Sequence, residues 1–322
     1  MVTKMRIVFM GTPEFAAKTL QGLAELNEEL VLAVTQPDRP AGRGLKTIPS
    51  PVKNLAMDLG VEVITPEKIK SKEVLSKIKG SNPDLIIVSA YGKIIPRSIL
   101  EIPKYYPINV HASLLPKYRG AAPINWAVIN GEDKTGLTII KMNEKMDEGD
   151  ILMQREIVIS PDDNASTLHD KLADMAKNFI QEAVKKIKTS EVEFTPQDHT
   201  KASCAPILRK EQGLIDWNKN SISVINFIRG MNLWPGSFTF LNKKSLKIFK
   251  ALLPQYISQS ILNGRKAGEI VAIHKDSFAV RTLDGVILIK DLQLESKKRL
   301  PAGEFIKGFK INIGDIFRND RL

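Results

Sequence analysis

Asn109 and His111 stand two residues apart, and the stretch 143–150 carries four acids, Glu144, Asp147, Glu148 and Asp150. On an extended strand, residues i and i+2 face the same side. A carboxamide donor and an imidazole placed in that way can converge on one bound atom. Fixed donors of this kind suit acyl transfer, because they stabilise charge as it develops on a carbonyl oxygen. A carboxylate beside the imidazole would orient it, as in hydrolytic triads. Spacing alone does not choose among the four acids. Ser113, Leu114, Leu115 and Pro116 follow as a short loop. Its apolar side chains could pack on a planar heterocycle while its backbone groups pair with the edge. Gly120 then permits a close approach or a positive φ.

The surrounding pattern says what must hold these residues. Apolar runs at 5–10, 30–35, 61–64, 84–89 and 107–110 read as strands, and helical periodicity is predicted at 13–26, 51–59 and 71–79. Strands alternating with helices imply a doubly wound, mostly parallel α/β sheet. In such sheets, ligands gather beyond the carboxyl ends of the strands, and Asn109 and His111 close one of them. Two further strands are predicted at 135–142 and 151–159, and a long helix at 163–188. Residues 36–51 read as an extended loop. Periodicity fades at 190–208, which is expected to be a linker. Beyond it, short β-rich runs at 237–241, 245–252, 268–273, 277–283 and 285–291 suggest a small β-barrel. The expected domains are therefore 1–189, with the catalytic groups, and 209–322.

Charge separates the same two regions. The chain of 322 residues has a formal net charge of +11. Residues 1–207 hold 27 Lys and Arg against 26 Asp and Glu, whereas 208–322 hold 20 against 10. A balance of +10 in the last third suggests a polyanionic partner. Arg229, Lys243, Lys244, Lys247, Lys250, Arg265, Lys266, Lys297, Lys298 and Arg299 are the candidate contacts. The single cysteine, Cys204, excludes an internal disulfide and a cysteine-based metal cage. No His, Cys and carboxylate spacing suggests a metal site, so no metal requirement is expected. Without a long apolar run or secretory pattern, the expectation is a soluble, cytoplasmic protein.

The segment His111-Ala-Ser-Leu-Leu-Pro-Lys-Tyr-Arg-Gly120, with Ala122-Pro123 and Trp126-Ala127 behind it, resembles the folate-dependent formyltransferases. Met146-Asp147-Glu148-Gly149-Asp150 resembles that family's aspartate motif, and Gly11-Thr12-Pro13-Glu14-Phe15-Ala16 is a third match. The resemblance implies a Rossmann-like catalytic domain and an OB-like C-terminal barrel. It implies Asn109, His111 and Asp147 as catalytic residues, and 10-formyltetrahydrofolate as the formyl donor. Ser113, Leu114, Leu115 and Pro116 would hold the folate, joined by Tyr91 and Gly92 of the segment Ser89-Ala-Tyr-Gly92.

Members of the family differ in the amine they formylate. Gln36-Pro-Asp-Arg-Pro-Ala-Gly-Arg-Gly44 resembles the acceptor-arm loop of the members that act on methionyl-tRNA, although Leu45 stands where a lysine is often found. The likeness of Ile215-Asp216-Trp217 and of 228–236 to the same members extends it along nearly the full chain, with Leu233 in place of a frequent proline. Trp217 and Trp234 are expected to brace the domain junction. The expectation is therefore initiator methionyl-tRNA as partner, gripped by Arg39, Arg43, Lys46, Lys243, Lys244 and Lys247, and a monomeric enzyme. Two rivals are an enzyme formylating a 4-amino sugar nucleotide and an RNA-binding module with an inactive transferase-like scaffold.

Overall fold

The computed structural model describes residues 4–41, 46–232, 234–256, 258 and 261–319. The chain divides into two compact units, one formed by Met1–Pro123, Lys134–Val158 and Leu168–Pro206, the other by Ile124–Asp133, Ile159–Thr167 and Ile207–Leu322.

In chain order, the elements up to Lys188 are β1 (Arg6–Gly11), α1 (Glu14–Ala24), β2 (Glu29–Val34), β3 (Arg39–Ala41), β4 (Lys46–Ile48), α2 (Pro51–Asp58), β5 (Val63–Ile64), α3 (Lys72–Gly80), β6 (Leu85–Ser89), α4 (Arg97–Leu100), β7 (Tyr106–His111), β8 (Arg119–Gly120), α5 (Pro123–Ile129), β9 (Lys134–Lys141), β10 (Ile151–Val158) and α6 (Ala165–Lys188). Seven strands form one sheet in the order β10-β9-β7-β6-β1-β2-β5. The five strands from β5 to β7 are parallel; β9 runs antiparallel to β7, and β10 antiparallel to β9. Every residue of β6 is buried, as expected for a strand covered on both faces. Val8, Met10, Leu32, Val34, Ile86 and Val88 pack on one face with Val74 and Ile78 of α3. Local chemistry starts the helices. Ser50 accepts a hydrogen bond from Lys53 N at 3.0 Å, with Pro51 opening α2, and Ser71 accepts from Val74 N at 3.3 Å.

Strand order reverses direction between β1 and β6, and the segments leaving their carboxyl ends meet there. Thr12 Oγ1 and Gln36 Nε2 both donate to the Tyr91 carbonyl, at 3.1 and 2.9 Å. Within the expected loop 36–51, Arg39–Ala41 and Lys46–Ile48 pair as short antiparallel strands. The expected linker also carries structure. β11 (Cys204–Ala205) pairs with β8, and Ile207 opens the last segment of the second unit.

In the second unit lie α7 (Ser221–Gly230), β12 (Ser237–Leu241), β13 (Lys244–Leu252), β14 (Ile270–Ile273), β15 (Phe278–Arg281), β16 (Val286–Leu294), β17 (Arg299–Pro301) and α8 (Ala302–Gly308). The strands form an antiparallel sheet in the order β12-β13-β16-β15-β14, with β17 on β16. Asn242 and Lys243, at φ +49° and +65°, turn the chain between β12 and β13, the backbone that a two-residue hairpin with right-handed twist requires. The final segment touches both edges of the sheet. Phe240 exchanges hydrogen bonds with Arg318, while Ile270 N donates to Asp315 O and Phe317 N to Gly268 O. Such bridging is compatible with a barrel. Inside, Ile215, Ile228, Leu246, Ile248, Phe278, Ile289 and Phe317 form the core. Trp217 belongs to that core and donates its indole N–H to Thr239 Oγ1 at 3.1 Å, whereas Trp234 is 61% exposed. Arg229 is a strut within this unit. Its guanidinium donates to the Ser160 and Asp163 carbonyls and to Asn226 Oδ1, and burial holds it below its ordinary pKa.

Candidate active site

β7 ends on His111, which lies against Thr138 of β9, and Asn109 sits two residues earlier opposite Val88 of β6. Alternation along this inner strand puts both side chains on one side of the sheet. His111 is buried. Its Nε2 lies 2.9 Å from the Tyr118 carbonyl oxygen. A carbonyl can only accept, so Nε2 carries the proton. Nδ1 faces Asp147 Oδ1 at 3.6 Å, beyond direct hydrogen-bond reach, which leaves Nδ1 as the ring nitrogen able to take another partner. Of the four acids in the polar loop, Asp147 is the one set beside the imidazole.

The Asp147 turn is built for this placement. Asp147 has φ +55°, a left-handed conformation that costs a non-glycine residue roughly 1 kcal/mol. Its Oδ2 accepts from Gly120 N at 2.9 Å. Gly120, at φ +120°, would place a Cβ 2.7 Å from the Ala205 oxygen, so a side chain is excluded there. Two residues after Asp147, a Cβ on Gly149 would overlap the Lys141 carbonyl. Glycine lets the turn lie directly on the end of β9.

The loop after His111 is tied down from below. Thr138 Oγ1 donates to Ser113 O at 2.6 Å and accepts from Leu115 N at 3.0 Å. Gln154 Nε2, across the β9–β10 pair, donates to Leu115 O at 2.8 Å. Ser113 and Leu115 are buried, Leu114 and Pro116 partly exposed. The Ser113 hydroxyl is turned onto Lys117 O at 2.6 Å.

Residues 5–184 match the formyl transferase family, and residues 207–310 match the formyl transferase C-terminal domain. The chain belongs to the formyl transferase family. The family match extends to whole proteins. A methionyl-tRNA formyltransferase of Citrifermentans bemidjiense is 45% identical over 98% of this chain and 97% of its own. One of Caldanaerobacter subterraneus subsp. tengcongensis is 45% identical over 98% of this chain and all of its own. Solved structures share the fold. WlaRD, a sugar 3N-formyl transferase determined in the presence of dTDP and 5-N-formyl-THF, has a TM-score of 0.66 at 20% identity, covering 92% of this chain and 100% of its own. HypX from Aquifex aeolicus in complex with tetrahydrofolic acid has a TM-score of 0.63 at 19% identity, covering 97% of this chain and 51% of its own.

Within this formyltransferase fold the other expected residues are spread more widely. Tyr91 turns its ring into the apolar core, where its hydroxyl has no hydrogen-bond partner among the described residues and burial pushes the phenol up to about 12. Gly92 follows at φ +81°, beside the Gln36 amide. Arg39 is exposed on the β3–β4 hairpin and reaches Gln36 Oε1 at 3.3 Å, and Lys46 begins the return strand. Arg43 lies outside the described residues. Lys243 occupies the β12–β13 turn, Lys244 and Lys247 are exposed on β13, and Lys244 Nζ lies 5.8 Å from the Phe309 ring centre. Arg265 and Arg299 pair with Glu269 and Asp291. Among the described residues, no group of three or more His, Cys, Asp or Glu side chains is placed to hold a metal ion, and no helix is long and apolar enough to cross a membrane.

Sequence reasoning missed Tyr118, whose carbonyl fixes the His111 tautomer, and Thr138 and Gln154, which hold the 113–115 backbone. It also missed Gln197. Tyr118 stands inside the quoted segment His111–Gly120 but acts through its carbonyl, which residue type does not reveal, and the other three sit in no recognisable motif. For Thr138 and Gln154 the signal was polarity inside the strands β9 and β10, which points to burial rather than to a site; Tyr118 and Gln197 lie outside regular strands and gave none.

Proposed function

We propose that the protein transfers the formyl group of 10-formyltetrahydrofolate to the amino group of initiator methionyl-tRNA, giving N-formylmethionyl-tRNA and tetrahydrofolate. The observation that carries this reading is the likeness to methionyl-tRNA formyltransferases along the whole chain, its basic C-terminal unit included. The geometry at the end of β7 supports the chemistry. The attacking amine forms a bond to the formyl carbon, and negative charge gathers on the formyl oxygen. Asn109 and protonated His111 stabilise that charge through fixed donors. Tyr118 O holds Nε2–H, so Nδ1 is the position that donates or exchanges a proton. Asp147 compensates the imidazolium and assists removal of the proton from the amine. Breaking the bond to the folate nitrogen, which receives a proton, completes the transfer.

In this reading, residues 1–189 form the catalytic domain, 190–208 connect it, and 209–322 bind tRNA. Ser113, Leu114, Leu115, Pro116, Tyr91 and Gly92 contribute to the folate site. Arg39, Arg43, Lys46, Lys243, Lys244 and Lys247 contribute to the tRNA contact. The enzyme acts as a cytoplasmic monomer, away from membranes, without a metal. The decisive test supplies 10-formyltetrahydrofolate with charged initiator tRNA and, separately, with an amino-sugar nucleotide. Formylated methionyl-tRNA is expected. Formylation of the sugar alone, or tight tRNA binding with no turnover on either acceptor, would replace the reading with one of its rivals.

A further inference from the structure

We infer that Gln197 is a positioning residue for the transfer reaction, acting through Asp147. The inference rests on the assignment of Asp147 above and extends it to a residue outside the expected catalytic domain.

Gln197 is 6% exposed, and its amide is fully used. Nε2 donates to the Asp147 carbonyl at 2.8 Å and to the Gly149 carbonyl at 2.7 Å. Oε1 accepts from Arg119 Nε at 3.2 Å and Nη2 at 2.7 Å. Two donors and two acceptor sites are all that a carboxamide has. Its orientation is also determined. A flipped amide would set its oxygen against two carbonyls and its N–H groups against a guanidinium that can only donate.

The two carbonyls it grips bracket the left-handed turn that aims the Asp147 carboxylate. Gly120 N holds that carboxylate from one side, and Gln197 holds the backbone beneath it. Arg119 extends the clamp, since its guanidinium also faces Glu148 Oε1 at 3.4 Å and His199 Nδ1 at 3.0 Å. The strained turn at Asp147 needs such over-determination to persist. Gln197 is neutral, so it brings no charge to the site and works only through placement. A displacement of about 1 Å in a catalytic group is enough to cost on the order of a hundredfold in rate.

The test uses the full-length protein with charged initiator tRNA and 10-formyltetrahydrofolate. Gln197→Leu removes the amide at similar volume. Gln197→Glu keeps the acceptor for Arg119 but points a carboxylate oxygen at the two carbonyls. Both variants should lose about tenfold to a hundredfold in kcat, with KM for either substrate within about twofold. In an Asp147→Asn background, Gln197→Leu should add no further loss, because residues acting as a unit are not additive. A Gln197→Glu enzyme at the wild-type rate would reduce Gln197 to an anchor for Arg119 and overturn the inference. So would a full, multiplicative loss in the Asp147→Asn background. If one variant unfolds at the assay temperature, the cycle is run with the other; unfolding of both assigns Gln197 to stability and rejects the proposal. Impaired Asp147→Asn beside unimpaired Gln197 variants sinks this inference alone. An unimpaired Asp147→Asn sinks the catalytic assignment and the inference with it.

Discussion

The Asp147 turn and the β3–β4 hairpin solve opposite problems within one unit. At the turn, the carboxylate, its own carbonyl and the Gly149 carbonyl are each engaged. On the hairpin, Arg39 projects from an exposed position, and the firm attachments lie at the base, where Asp38 pairs with Lys53 and Gln36 with the Tyr91 carbonyl. Under the proposed function, the difference follows from what each would meet. A developing oxyanion is stabilised by groups already in place, because reorganising them during the reaction would cost what they contribute. A phosphate backbone is met by Coulomb attraction, which tolerates ångström-scale variation and rewards reach.

The largest effect is expected at the turn. Asp147→Asn keeps the shape and removes the charge, and should lower turnover by about a thousandfold while folate binding survives. Single-turnover formylation beside equilibrium folate binding checks both halves, and near-normal turnover would break the contrast. Arg39→Ala should act differently. KM for the tRNA is expected to rise about tenfold and the slope of log affinity against log salt to shrink by about one, with kcat retained. A fall in kcat alone would place Arg39 in the chemistry.

The smallest effect sharpens the donor side. Tyr91 buries a hydroxyl without a partner among the described residues, which costs about 1 kcal/mol or more. Tyr91→Phe should therefore stabilise the free protein by about 1 kcal/mol in urea unfolding and leave KM for the folate unchanged, with the segment contributing through its backbone. Destabilisation with a raised KM would instead assign the hydroxyl to the ligand.

Much was legible from the chain alone. Apolar runs of strand length and helical periodicity set out the alternating first unit, because burial on two faces demands near-continuous apolar strands. The i, i+2 spacing put Asn109 and His111 on one side of β7, because a strand repeats every two residues. Charge balance marked the basic C-terminal region, which no folding information was needed to see. Element boundaries were least visible where pairing partners decide them, as in the paired strands Arg39–Ala41 and Lys46–Ile48 and the short strand Cys204–Ala205, none of which has an apolar pattern of its own.

Tertiary structure alone decided the rest. Spacing left four acids in one loop equivalent, and only the family resemblance favoured Asp147; a left-handed residue, a glycine pressed on Lys141 and a hydrogen bond from Gly120 are what physically bring it to the imidazole. The tautomer of His111 depends on a carbonyl seven residues later, and the clamp on Asp147 comes from Gln197, fifty residues away. Sequence carries local periodicity and residue chemistry. Which distant groups share a hydrogen bond is fixed only when the chain packs and each buried donor must find an acceptor.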